Sequence, residues 1–193
     1  LSLKHQEWLK GKFKNVESHL VILDNVFKSF KSSLSEFDNE HGLANSRARL
    51  RMTALYQVAA SNNGIVVGTG NKVEDFGVGF YTKYGDGGVD LSPIADLMKS
   101  EVYALGKELE VIEDIMIAAP SDGLFGDSRS DEMQLGASYD ELEWAMKMQD
   151  AGKTEADFEG REKEVYTTYL KLNTANSHKM DHIPVCEIPV HLK

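Results

Sequence analysis

Residues 64–75, G-I-V-V-G-T-G-N-K-V-E-D, carry the strongest indication of fold class in this chain. Ile65, Val66 and Val67 form a short apolar run between two glycines, which predicts a buried strand. Residues 45–61, just upstream, place apolar side chains at helical spacing and predict an amphipathic helix. A helix that leads into a buried strand and then a glycine-rich loop is typical of an α/β fold with a parallel sheet.

The hydrophobic pattern outside this stretch predicts further helices and a second strand. The apolar run H-L-V-I-L at 19–23 predicts a buried strand. Helices are predicted at residues 3–13, from Asp24 or Asn25 onward, at 95–109, from a Ser138–Glu141 capping box to residue 148, and at 161–172. Because 193 residues suffice for one ordinary core, we expect residues 1–193 to form a single α/β domain.

Composition limits the classes of function. The formal net charge of −10 disfavours nucleic acid or an anionic membrane as a general partner. No apolar run approaches the roughly 18 residues that a membrane helix needs, and the printed chain does not open with a signal-peptide pattern. Cys186 is the single cysteine, which excludes an internal disulfide and fits a reducing compartment. We therefore expect a cytoplasmic protein.

The glycine-rich loop after the predicted strand is the first candidate site. Ligands of open α/β sheets bind beyond the carboxyl ends of strands, where free backbone N–H groups can hold phosphate. Thr69 adds a hydroxyl, and Glu74 and Asp75 add carboxylates of the kind that Mg²⁺ prefers. A plain glycine-rich turn followed by a solvated acidic helix start explains the same residues equally well.

A second candidate site is the stretch T-K-Y-G-D-G-G-V-D at 82–90. Its three glycines indicate a tight turn or a close approach to a ligand, and Lys83 and Asp90 bracket that turn. A compact surface Ω-loop is the alternative. Lys99, near the start of the following helix, could reach a phosphate, but a solvated lysine is the simpler interpretation. Arg47, Arg49 and Arg51 could pair with a ligand phosphate or with acidic groups across a dimer.

Four segments together resemble the ammonia-dependent NAD synthetase family. They are A-R-L-R-M at 48–52, G-T-G-N-K-V-E-D at 68–75, F-Y-T-K-Y-G-D-G-G-V-D-L-S-P-I-A-D-L-M-K at 80–99 and S-H-K-M at 177–180. The resemblance implies the N-type ATP pyrophosphatase fold (adenine nucleotide alpha hydrolase-like), in which a three-layer parallel sheet is flanked by helices. It also implies a homodimeric ligase that uses ATP, Mg²⁺ and ammonia to convert nicotinic acid adenine dinucleotide (deamido-NAD) to NAD, AMP and pyrophosphate through an acyl-adenylate.

The resemblance also implies roles for individual residues. ATP contacts are expected from Thr69, Lys99 and Ser121, with Lys99 as the catalytic group that neutralises phosphate, and Glu74 is the expected Mg²⁺ ligand. Deamido-NAD contacts are expected from Arg49, Lys83, Asp90, His178 and Lys179. The chain is one residue longer than the common family pattern between Glu74 and Lys83, which leaves Asp75 as the alternative metal ligand. The loops at 77–90 and 120–131 are expected to act as lids.

One family element does not occur in the sequence. The phosphate-loop motif S-G-G-x-D-S is absent from the 193 residues, so we expect the printed chain to begin after the strand and loop that carry it. Two alternatives follow: an inactive fragment that serves only as a dinucleotide-binding or dimerisation module, or another ATP pyrophosphatase such as a GMP synthetase-like enzyme. AMP release that depends on deamido-NAD and ammonia distinguishes the first alternative from the synthase.

Overall fold

A computed structural model describes residues 1–125, 127 and 129–193 of the chain. Eight α-helices lie in this part of the protein: α1 Ser2–Lys12, α2 Asp24–Ser33, α3 Glu40–Ser61, α4 Lys99–Glu108, α5 Glu113–Met116, α6 Asp131–Leu135, α7 Tyr139–Asp150 and α8 Gly160–Met180. A π-helix covers Val73–Val78, and single 3₁₀ turns cover Ser35–Phe37, Glu155–Asp157 and Val190–Leu192. None of the described helices combines the length and the hydropathy needed to cross a membrane.

The helices agree with the hydrophobic pattern better in position than in length. The predicted helices at α1, α2 and α7 are confirmed, and the Ser138–Glu141 capping box starts α7. Helix α3 begins before the predicted residue 45, because the Asn39 side chain accepts a hydrogen bond from the Gly42 backbone nitrogen at 2.8 Å and caps the helix there. Helix α8 runs past the predicted residue 172 to Met180 and therefore carries His178 and Lys179.

The predicted sheet is only partly visible. Within residues 1–125, 127 and 129–193, strand pairing is limited to a parallel bridge between Val67 and Leu91. The prediction of a buried strand at residues 19–23 is wrong: the segment is irregular, and Leu20 and Ile22 are 77% and 71% exposed. A strand needs a neighbour to satisfy its backbone groups, and a short apolar run does not supply one. The bridge is nevertheless parallel, as an α/β fold requires.

The hydrophobic core lies between α7, α8 and the π-helix. Val73 and Val78 of the π-helix are fully buried against Leu142 of α7 and Tyr166 of α8. The core also contains an aromatic group in which Trp144 meets Phe158 edge-on at a centroid distance of 4.9 Å. This packing fixes the π-helix, and with it Glu74, against the two longest helices of the C-terminal half.

Candidate active site

The glycine-rich loop holds Glu74 at the start of the π-helix. Asn71 is 2% exposed, and its side-chain oxygen accepts hydrogen bonds from the backbone nitrogens of Val73 at 3.0 Å and Glu74 at 3.2 Å. The amide therefore caps the first turn and orients the Glu74 backbone. π-Helical turns are often found at functional sites, which agrees with the prediction of a site here.

Helix α8 fixes the other end of the π-helix. The side-chain amides of Asn173 and Asn176 donate to the backbone oxygens of Gly77 at 2.8 Å and Val78 at 2.9 Å. The π-helix ends at Val78, and the next residue, Gly79, caps it with a φ of +61° that suits glycine. A Cβ added at Gly79 would lie 2.5 Å from the Cβ of Asn176, so the close approach to α8 also requires a glycine.

Lys99 forms an ion pair with Glu74. The Lys99 Nζ lies 2.8 Å from the Glu74 Oε1, and the two side chains are only 19% and 17% exposed. The interpretation of Lys99 as an ordinary solvated lysine is therefore wrong. Lys99 is the first residue of α4, so its partly buried ammonium and the helix N-terminus both contribute positive charge beside the glycine-rich loop.

Tyr139 and Asp131 complete the polar group around this pair. The Tyr139 hydroxyl donates to the same Glu74 Oε1 at 2.7 Å and lies 3.3 Å from the Asp131 Oδ2. The Asp131 Oδ1 is buried and has no hydrogen-bond partner among the residues that the structure describes. Burial is the main cause that raises the pKa of Asp131, with the charges of Asp122 and Glu74 adding to it. Burial, followed by the charge of Glu74, also raises the pKa of Tyr139.

Asp75, the alternative metal ligand, points to a different environment from Glu74. It lines a small cavity of about 170 Å³ together with Gly68, Gly70 and Lys179. Burial, followed by the charges of Glu74 and Asp86, raises the pKa of Asp75 to about 6. A Cβ at Gly70 would lie 2.3 Å from the Asp75 carboxylate oxygens, so the loop backbone passes directly over this carboxylate.

Four of the five residues expected to contact deamido-NAD line one cavity. The cavity has a volume of about 420 Å³, and Arg49, Lys83, His178 and Lys179 contribute to its wall. These residues come from α3, from the loop at 82–90 and from the last turn of α8. The cations Arg49, Lys83 and Lys179 outnumber the two carboxylates of the wall, Asp86 and Asp122, so this cavity, called here the cationic cavity, suits an anionic ligand.

The two lysines of this cavity are held by backbone carbonyls. The Lys83 ammonium donates to the His178 oxygen at 2.5 Å, and the Lys179 ammonium donates to the oxygens of Gly79 at 2.7 Å and Tyr81 at 2.9 Å. Lys179 and Tyr81 are joined in both directions, because the Tyr81 hydroxyl also donates to the Lys179 backbone oxygen. Burial lowers the pKa of Lys179, partly offset by the charge of Asp86. These bonds tie the loop at 79–83 to the end of α8.

Thr69 lies in an adjoining cavity of about 360 Å³ rather than in the cationic one. The two cavities share Asp86, Asp122 and Leu124, and Arg51 also lines the second. The cavity that contains Thr69 therefore adjoins the cationic cavity along these three shared residues.

Asp90 and Ser121 lie apart from these groups. The Asp90 carboxylate accepts hydrogen bonds from the Tyr56 hydroxyl at 3.1 Å and the Val66 backbone nitrogen at 2.8 Å, so it secures the end of the apolar segment to α3. The exposed Ser121 hydroxyl donates to the Arg129 oxygen at 3.3 Å. In this arrangement neither side chain faces the cationic cavity, and their expected ligand contacts remain predictions.

The expected lids are both fastened to α3. In the first loop, the Thr82 hydroxyl donates to the Asn45 side-chain oxygen at 2.7 Å. In the second, Arg47 donates to the Leu124 oxygen, and Arg51 donates to the Gly123 oxygen at 3.4 Å. All three arginines thus bind loop carbonyls: Arg47 and Arg51 bind the second loop, and the Nε of Arg49 donates to the Lys83 oxygen of the first at 3.2 Å. Gly126 and Ser128 of the predicted second loop lie outside the described residues.

Comparison with known proteins relates most of the chain to one family. The family model for NAD synthase matches residues 7–183. The NH(3)-dependent NAD(+) synthetase of Methanosarcina acetivorans is 35% identical over 190 residues, which cover 94% of this chain and 70% of that protein. The NH(3)-dependent NAD(+) synthetase of Picrophilus torridus is 40% identical over 156 residues, covering 81% of this chain and 61% of that protein.

A solved structure is similar over most of this chain. The NMN synthetase of Francisella tularensis superimposes with a TM-score of 0.79 at 30% sequence identity, covering 94% of this chain and 71% of that structure. The chain spans between 49% and 70% of the length of the first few curated relatives that it matches. Because the family model matches residues 7–183, far more than half of the chain, the chain belongs to the NAD synthase family.

Proposed function

We propose that the protein catalyses the ATP-dependent amidation of deamido-NAD by ammonia, and so acts as a C–N bond-forming ligase. The substrate carboxylate attacks the α-phosphorus of ATP and releases pyrophosphate; ammonia then displaces AMP from the acyl-adenylate and gives NAD. The observation that carries this proposal is the partly buried Lys99–Glu74 pair at 2.8 Å, which places a cation and a carboxylate together beside the glycine-rich loop. Family membership supports the same chemistry.

The residues around Glu74 fit a magnesium ion. No group of three or more His, Cys, Asp or Glu suited to a metal occurs within the described residues. Mg²⁺ commonly needs only one or two carboxylates, since water and substrate phosphates complete its shell. The Glu74 carboxylate supplies one such ligand, with Asp75 as the alternative, and the orphaned Asp131 Oδ1 is a second carboxylate oxygen nearby. When bound there, Mg²⁺ would neutralise the negative charge that builds up on the phosphates as pyrophosphate leaves.

The protein residues have separate tasks in this scheme. Lys99 leaves Glu74 and donates to an ATP phosphate, where it stabilises developing negative charge. Thr69 and Ser121 donate hydroxyl hydrogen bonds to ATP. Arg49 and Lys83, with His178, Lys179 and Asp90, orient deamido-NAD, and the cationic cavity supports this assignment for all but Asp90. The loops at 77–90 and 120–131 exclude water from the acyl-adenylate until ammonia arrives.

We also propose the complete fold and assembly of the family. The parallel Val67–Leu91 bridge supports a three-layer α/β arrangement with a parallel sheet, as in the N-type ATP pyrophosphatases. Apolar side chains at the surface, including Leu55 at 56% and Ile65 at 62% exposure, support a homodimer, which light scattering can test. The single exposed cysteine, Cys186, supports a reducing cytoplasmic setting.

A second candidate differs only in the substrate. The similarity to the NMN synthetase structure, with a TM-score of 0.79, favours a test of the shorter deamidated mononucleotide as well. Its chemistry is the same carboxylate amidation, so Lys99 and Glu74 keep their tasks. The two candidates differ in whether the substrate carries the second nucleotide.

The experiment that tests the proposal measures products with either substrate. Purified protein is incubated with Mg²⁺-ATP, ammonium and either deamido-NAD or the deamidated mononucleotide, and NAD, NMN and AMP are quantified by chromatography. The proposal expects equimolar NAD and AMP that require both deamido-NAD and ammonia. NMN formation at a higher kcat/KM would favour the second candidate. Binding of deamido-NAD without AMP release would instead indicate the binding module, and would overturn the proposed synthase.

A further inference from the structure

Helix α7 contacts both ends of the Lys99–Glu74 pair. Tyr139 and Glu143 are one helical turn apart on α7, so they lie on the same face of the helix. Tyr139 is 5% exposed and Glu143 is 4% exposed, and both contact polar groups at or beside the pair. Buried polar side chains are costly unless they form hydrogen bonds. The two on this face of α7 form theirs at the candidate active site, which suggests a role for them there.

Tyr139 makes two different contacts with the pair. Its hydroxyl donates to the Glu74 Oε1 at 2.7 Å, the same oxygen that accepts from Lys99 at 2.8 Å. Its ring lies beneath the Lys99 ammonium, with 4.6 Å between the Nζ and the ring centroid. The ring therefore attracts the cation while the hydroxyl holds the carboxylate.

Glu143 fixes the backbone that carries Lys99. Its carboxylate accepts from the Ser100 backbone nitrogen and from the Ser100 hydroxyl, both at 2.7 Å. These bonds cap the first turn of α4 immediately after Lys99. The Lys99 side chain and its backbone are thus both placed by α7, at positions 139 and 143.

We propose that Tyr139 is a positioning residue, whose hydroxyl holds the Glu74 carboxylate in place when Lys99 turns from Glu74 to an ATP phosphate. This inference rests on one part of the proposed function, the binding of an ATP phosphate by Lys99, and not on the formation of NAD. Glu74 is 17% exposed, and a poorly hydrated carboxylate oxygen that is left without a donor is costly. With the Tyr139 hydroxyl present, the Glu74 Oε1 keeps one strong donor after Lys99 leaves, whether or not the other carboxylate oxygen binds Mg²⁺, so the release of Lys99 costs less.

The inference predicts a specific effect of removing the hydroxyl alone. Tyr139→Phe keeps the ring beneath Lys99 but leaves the ammonium as the remaining described donor to Glu74 Oε1. Lys99 is then held more tightly by Glu74, and ATP must compete with that stronger pair. We expect the Kd and KM for Mg²⁺-ATP to rise about 10-fold, the lower end of the effect of a hydrogen bond to a charged group. The KM for deamido-NAD should change less than twofold.

Tyr166→Phe provides the matched control. Tyr166 is 1% exposed and belongs to the same core, and its hydroxyl donates to the Lys153 backbone oxygen at 2.6 Å. The control therefore loses a buried tyrosine hydroxyl bond that is remote from Lys99 and Glu74. A purely structural effect lowers the melting temperature of both variants and leaves the binding of Mg²⁺-ATP alike in both.

The experiment measures Mg²⁺-ATP binding by isothermal titration calorimetry, with melting temperature and steady-state kinetics, for wild type and both variants. Weaker Mg²⁺-ATP binding by Tyr139→Phe alone supports the inference. Equal binding by all three proteins, or equal weakening in both variants, overturns it. If NAD formation is intact while Tyr139→Phe binds normally, the positioning role fails and the proposed function stands. If no NAD forms but Tyr139→Phe alone loses affinity, the proposed function fails and the positioning role stands. No measurable Mg²⁺-ATP binding by the wild type overturns both.

Discussion

The carboxylate of Glu143 accepts two hydrogen bonds from Ser100, one from its backbone nitrogen and one from its hydroxyl, each at 2.7 Å. Glu143 is 4% exposed, so this carboxylate is a buried cap for the N-terminus of α4. The positive end of that helix stabilises the buried charge. The same contact holds the residue that follows Lys99, and so it joins the core helix α7 to the backbone of the candidate site.

Removal of this cap should lower the stability of the protein and fix the position of Lys99 less firmly. We expect Glu143→Ala to lower the free energy of unfolding by about 2 kcal/mol, because it removes a charged acceptor that caps the first turn of α4 through two hydrogen bonds. Urea denaturation measures the change. Glu108→Ala, at an exposed position near the end of the same helix, is the control and should change stability by less than about 0.5 kcal/mol. Equal effects in the two variants would contradict the capping role.

Loss of the Lys99 ammonium should affect the reaction far more than the fold. We expect Lys99→Ala to lower the turnover of deamido-NAD about 10²-fold or more, as for the removal of one electrostatic stabiliser in other enzymes. The exposed Lys107, two turns along α4, provides the control Lys107→Ala, which should keep wild-type turnover. Steady-state formation of AMP measures both. Wild-type turnover in Lys99→Ala would remove Lys99 from the mechanism.

The sequence pattern predicted which residues form helices better than it predicted which segments pack against one another. The apolar spacing of α1 and the capping box of α7 are local signals, and the structure confirms both helices. The buried strand at 19–23 was a wrong prediction, because burial depends on partners that lie elsewhere in the fold. A short apolar run has no property of its own that distinguishes an exposed segment from a buried one.

The residues of the candidate site also fall into those that a local sequence pattern revealed and those that only the packing of the fold brings together. The glycine-rich loop and the T-K-Y-G-D-G-G-V-D stretch stand out in the sequence, and residues from both line cavities in the structure. Tyr139 and Glu143 did not stand out, because they reach the site only through the packing of α7 against α4 and the π-helix. Asp131 did not stand out either, and it reaches the site from the start of α6. The capping box at Ser138 located the start of α7, but no local signal indicates that its first residue contacts Glu74. The Asn71 cap lay within the quoted motif and could have been found from its spacing to Glu74.

The end of the π-helix gives a prediction that separates backbone strain from steric contact. Gly79 and Gly152 both have positive φ, +61° and +73°, but a Cβ at Gly79 would lie 2.5 Å from the Asn176 Cβ, whereas a Cβ at Gly152 meets nothing within 4 Å of the described atoms. We expect Gly152→Ala to lower the free energy of unfolding by about 1 kcal/mol and Gly79→Ala by about 3 kcal/mol or more. Chemical denaturation compares the two directly. Similar losses would mean that α8 can move away from Gly79 without cost.

The ion pair at the start of α7 should make stability depend on pH in a defined range. The hydrogen bond from Arg161 is the main cause that lowers the pKa of Glu141 to about 2. Two bonds at 2.8 Å join these side chains, and the Ser138 backbone nitrogen donates to Glu141 at 2.9 Å. A carboxyl with a lowered folded-state pKa contributes its full stability above its unfolded value of about 4.3 and loses it as the pH falls toward 2.

We therefore expect Glu141→Gln to be less stable than wild type by about 1 kcal/mol at pH 6, because glutamine keeps the cap acceptor but loses the charge. The difference should shrink steadily between pH 4.5 and pH 2 as the wild-type carboxyl takes up a proton. Urea denaturation of both proteins at several pH values measures it, and high salt at pH 6 should reduce it because the pair is partly exposed. Arg161→Met should show the same dependence on pH, since it removes the other charge of the pair. A stability difference that stays constant from pH 6 to pH 2 would mean that the amide cap, and not the ion pair, accounts for the contribution of Glu141.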